Sequence, residues 1–147
     1  MREFAARLVA AGIAAPHEIV GCSADDVARL EASFRIRLPL AYTEFLRVAG
    51  RRAGTFMSDV DFLYDKLFLL HAMAADLLND WEKGELTLPK NAFVFAMRYG
   101  EQFMFFVADN KDDDPPVFFY YEGHKQFKLI AKSFWEVLEA ELKEMEH

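Results

Sequence analysis

A single cysteine, Cys22, rules out an intrachain disulfide, so packing has to carry the stability. A lone thiol also suits a reducing compartment, and a cytoplasmic protein is the expectation. Glycine is scarce as well. The seven stand at 12, 21, 50, 54, 84, 100 and 123, and no pair has the spacing of a glycine-rich phosphate cradle. The four histidines, His17, His71, His124 and His147, never recur at i, i+4, and Cys22 has none nearby, so local spacing assembles no metal site and no cofactor is expected. No run approaches the ~18 apolar residues of a membrane-spanning helix. Leu8 to Ala15 is uncharged, but it is short, rich in Ala and follows Glu3 and Arg7. It reads as an amphipathic helix with Phe4, Leu8 and Ala11 on one side, not as a secretory leader.

Basic residues are short in one half only. Residues 1–73 hold nine basic and nine acidic side chains, residues 74–147 eight and fifteen, so the whole net charge of -7 lies in the second half. Phosphate recognition relies on Lys and Arg, so nucleic acid as a direct ligand is disfavoured, and an anionic membrane for the same reason. A basic partner is favoured. What the chain has in plenty is apolar surface: 53% of 147 residues are hydrophobic, and 15 are Phe. That is enough for one ring-rich core, and residues 1–147 are expected to form a single domain.

The apolar period changes along the chain. Ser23 with Asp26 has the form of a capping box, followed by Val27, Leu30 and Phe34 at helical spacing. Pro39 suits the first turn of a second helix, with Tyr42, Phe45, Leu46 and Ala49 as its stripe and Gly50 as its stop. Leu67, Leu70, His71, Ala74, Leu77, Leu78 and Trp81 share one face of a third, with Asp76, Asp80, Glu82 and Lys83 turned elsewhere. After Pro89 the period falls to two. Ala92–Met97, Phe103–Val107, Val117–Tyr121 and Phe127–Ala131 read as four strands joined by turns, and Ser133 with Glu136 opens a closing helix. The expectation is an α+β fold, with N-terminal helices packed on a central antiparallel meander of about four or more strands and a C-terminal helix closing it.

The run Asp109-Asn110-Lys111-Asp112-Asp113-Asp114 invites a metal test. An EF-hand loop from Asp109 requires Gly at 114 and Glu at 120, where Asp114 and Tyr120 stand, so that motif fails. As an acidic rim, Asp109, Asp112, Asp113 and Asp114 with Tyr120 and Glu122 form a candidate surface for Arg or Lys of a partner protein. Cys22 as a nucleophile and His71 as a ligand are outweighed by buried structural roles.

Several segments together resemble the SUKH superfamily, which includes bacterial immunity proteins and the domain of a yeast cell-wall assembly regulator. Val27-Ala28-Arg29-Leu30-Glu31, then Leu38-Pro39, Tyr42, Phe45-Leu46 and Gly50, is similar to that family's helical signature. Ala92 to Phe95, Phe105-Phe106, Asp109 and Pro116-Val117 are similar to its central sheet. Ala131-Lys132-Ser133-Phe134 with Leu138 is similar to its closing helix. Most of these positions, Leu38, Pro39, Tyr42, Gly50, Ser133 and Phe134, also have structural readings, whereas Glu31 needs a partner, with Arg35 at i+4 as the candidate. The resemblance implies a non-enzymatic binding protein that neutralises a bacterial toxin, nucleases among them, by occluding it, and the charge balance makes a basic toxin domain the expected partner. The alternatives are an intracellular scaffold or regulator, and a small hydrolase.

Overall fold

The computed structural model describes residues 3–146. Chain order is α1 (Phe4–Ala10), a 3-10 turn (Pro16–Glu18), β1 (Ile19–Val20), α2 (Ala24–Phe34), α3 (Leu40–Ala49), β2 (Arg52–Ala53) and α4 (Tyr64–Glu82). Then come β3 (Ala92–Arg98), β4 (Gln102–Val107), β5 (Val117–Tyr121), β6 (Lys128–Ala131) and α5 (Phe134–Met145). This is the expected α+β arrangement, with helices on an antiparallel β3-β4-β5-β6 sheet and a C-terminal helix. The addition is a small β1-β2 ribbon, where the sequence between Arg51 and Ser58 reads as loop alone.

The predicted helix starts hold. Asp26 N–H donates to Ser23 Oγ at 3.0 Å, and Ser23 N–H donates to Asp26 Oδ2 at 2.9 Å, a reciprocal cap that fixes the entry to α2. Arg51 then reaches across 25 residues to the same carboxylate, with Nη2 2.8 Å from Oδ1. Gly50 ends α3 with ordinary helical φ, so freedom to turn left-handed is not its reason. A Cβ there would lie 2.6 Å from Cys22 Sγ, which makes Gly50 a point of close approach between α3 and the β1–α2 connection.

Residues that pair across strands share a face, and the two faces of the sheet differ. Phe103, Phe105, Phe118 and Tyr120 lie on the side covered by α4. Phe93, Phe95 and Phe106 lie on the other, packed against Tyr42 of α3 and Phe134 of α5 with centroids 5.1 to 5.4 Å apart in the closest pairs. α3 and α5 cover only that half of the face. Met104, Phe119 and Tyr121, further along, stay half-buried.

The sheet's two margins also differ. β3 is covered on both faces, as its unbroken apolar run implies, and Ala92 to Met97 are all buried. Its outer margin is closed at Met97 by Asp61, whose N–H and carbonyl both pair with Met97, at 2.8 and 3.0 Å. Among the described residues β6 has no strand neighbour on its outer side, and Lys128, Leu129 and Ile130 are exposed.

Candidate functional site

The acidic loop between β4 and β5 is fastened by its backbone and by one side chain. Asp109 Oδ1 accepts from Lys111 N–H at 3.1 Å, and Asp112 Oδ1 accepts from Asp114 N–H at 3.0 Å, two local turns of the type Asp favours. Ala41 N–H, at the start of α3, donates to the Asp113 carbonyl at 2.9 Å. Asp114 Oδ1 accepts from Phe134 N–H at 2.7 Å and Trp135 N–H at 3.3 Å, so Asp114 caps α5 together with Ser133. Burial pushes the Asp114 carboxyl up, against the pull of those two N–H groups. Asp109, Asp112 and Asp113 remain exposed. Beside them, a cleft of about 490 Å³ runs between the loop and the α2–α3 connection, lined by Glu31, Arg37, Thr43 and Asn110 among others.

Two members of the sequence-derived set do not join this loop. Tyr120 is fully buried, so it is no part of a partner-facing rim. Its O–H donates to Glu82 Oε2 at 2.5 Å; burial, then that bond, push its pKa up to about 12. Gly123 N–H donates to the Tyr120 oxygen and Lys125 N–H to Glu82 Oε2, both at 3.2 Å, tying the β5–β6 turn to α4. Glu122 lies past the far end of β5, about 17 Å of strand away from the loop, where its N–H donates to the Glu101 carbonyl. Asp114, half-buried and occupied as a cap, is also structural.

The family-type positions are structural throughout. Glu31 does not pair with Arg35. Its Oε2 accepts from Leu38 N–H at 2.7 Å, bracing the connection that delivers Pro39 and α3. Leu38, Pro39, Tyr42, Gly50 and Phe134 are buried. Cys22 is buried too, and burial pushes its thiol up to about 11, so it stays protonated and unreactive near neutrality.

The sequence reading missed the open half of the sheet. There, Met104, Phe119, Tyr121 and Ile130 line a groove of about 610 Å³, walled by Glu141 of α5 and by Arg98. Burial pushes the Glu141 carboxyl up, and Arg98 pairs with Asp59 at 3.2 Å. The sequence signal pointed the other way: Phe103–Val107 is apolar on both faces and reads as a strand covered on two sides, yet Met104 is only half-buried. Among the described residues, no group of three or more His, Cys, Asp and Glu side chains converges to hold a metal ion, and no helix is long and apolar enough to cross a membrane.

Helices around a four-stranded meander, a loop pinned to two helix starts and a half-open sheet face define an α+β domain whose distinctive features are surfaces. The chain belongs to the SMI1/KNR4 family (SUKH-1), whose profile matches residues 21–140. Domains of this family are protein-interaction modules with immunity or regulatory roles. No curated protein matches the chain.

Proposed function

We propose that residues 1–147 act as a single SUKH-like domain that binds another protein and catalyses no reaction. The reading is a cytoplasmic immunity protein that neutralises a cognate bacterial toxin by covering it. Its partner is a basic toxin domain, with no direct nucleic-acid or membrane ligand. The observation that supports this best is the set of exposed carboxylates, Asp109, Asp112 and Asp113, on a loop already held to α3 through its backbone and to α5 through the Asp114 side chain. Charges that need no ordering lose less entropy on association, and complementary charge speeds encounter. A regulatory interaction domain is the alternative that the same family match supports, and a toxin gene beside this one separates the two.

The test is association with the toxin domain encoded next door, measured by stopped flow across a salt series. Reversing Asp109, Asp112 and Asp113 together to Lys is expected to slow association by roughly tenfold and flatten its salt dependence. An unchanged rate and slope overturn the site assignment, and protection from the toxin by turnover would overturn the binding reading.

A further inference from the structure

The half of the chain that carries all the acidic excess contains one stretch of opposite sign. Residues 123–135 hold His124, Lys125, Lys128 and Lys132 and no Asp or Glu. That stretch supplies β6, whose outer margin pairs with no strand among the described residues. None of the three lysines forms an ion pair among the described residues. Lysines on an edge strand also discourage stray pairing. This edge, however, presents apolar side chains on both faces. Leu129 is 54% exposed on the side of Phe118, and Ile130 is 41% exposed on the side of the groove.

We infer that β6 is an acceptor strand for an extended, acidic segment of another protein. The segment's backbone pairs with Lys128–Ala131 and adds a fifth strand to the sheet. Its side chains alternate between the two faces: carboxylates on the groove side meet Lys128, and apolar side chains on the other side pack on Leu129. Lys125 and Lys132, just outside the strand ends, add to the attraction. A second copy of this chain is the poorer occupant, because antiparallel pairing of β6 with β6 would line six lysines along one seam. This surface is separate from the acidic loop and takes a ligand of the opposite charge, so it stands or falls independently of the proposed toxin contact.

The probe is a synthetic peptide of about nine residues alternating Glu and Val, labelled for fluorescence polarisation. Three comparisons accompany it: the Lys–Val counterpart, a Glu–Val peptide N-methylated at alternate residues, and the K128E/K132E protein. Expected results are binding of the Glu–Val peptide and slowed amide exchange at residues 128–131. Affinity should fall roughly tenfold or more in each comparison, while the double variant melts with the wild type. Absence of binding, equal affinity for the N-methylated or the Lys–Val peptide, or protection confined to another segment overturns the inference. So does concentration-dependent self-association that protects β6, which assigns the edge to a second copy.

Discussion

The 109–114 loop and the β6 edge carry opposite charge and are held in opposite ways. The loop's backbone is engaged by Ala41, and its last carboxylate is occupied by the start of α5. Among the described residues, β6 uses its inner side for β5 and leaves its outer side unpaired, with its lysines reaching no carboxylate. Charge alone therefore does not say what a segment does. Where the polar groups are satisfied internally, the segment is a fixed relief that can meet only a complementary surface. Where they are unsatisfied, it can incorporate a ligand.

The largest change should come from Glu82, which anchors the base of the β5–β6 turn. Glu82→Ala leaves the Tyr120 hydroxyl and the Lys125 amide short of a partner, and is expected to cost about 2–3 kcal/mol in urea unfolding. Next, Asp114→Ala should cost about 1–2 kcal/mol through the lost cap, while Asp113→Ala, whose contact is through its carbonyl, stays within about 0.5 kcal/mol. Equal losses at 113 and 114 would break the distinction between the pinned and the free side chains of the loop.

Two pH effects sharpen it further. Tyr120 titrates at about 12 when folded, above its usual 10.0, so the fold favours the neutral phenol. That contribution is complete below pH 10.0 and disappears as pH rises towards 12, and Tyr120→Phe should remove this alkaline slope from the thermal melts. Asp26 behaves in the reverse sense. Arg51, then the Ser23 backbone, hold it down to about 2 from 3.8, so its contribution is present above 3.8 and vanishes as pH falls to 2. Asp26→Asn should flatten that acid limb. The smallest effect belongs to the edge itself: Lys128→Ala is expected to shift stability by no more than about 0.5 kcal/mol, since no contact in the fold depends on its ammonium group.

Periodicity and capping residues made most of the fold legible. Ser23, Asp26, Ser133 and the Phe-rich alternation after Pro89 act through neighbours in the chain, and all were readable there. The site was less legible, because burial of a polar side chain depends on a partner far away in sequence. Tyr120 and Glu82 are 38 residues apart, and each looks like a surface residue until the other is placed. Trp81 shows the converse. It shares the inward stripe of α4 by angle, yet it is 51% exposed, with its indole beside Gly123, where the sheet has given way to the β5–β6 turn. A helical period assigns direction, but it does not say where the opposing layer stops.

The Asp61–Met97 bridge has one more implication. With Met97 engaged there, a strand added along β3 would have to displace Asp61 or stop short of that end, so the two margins of the sheet are unequal. Lateral extension is therefore easier at β6, and relaying strands through the protein from one copy to the next carries an added cost at the far margin.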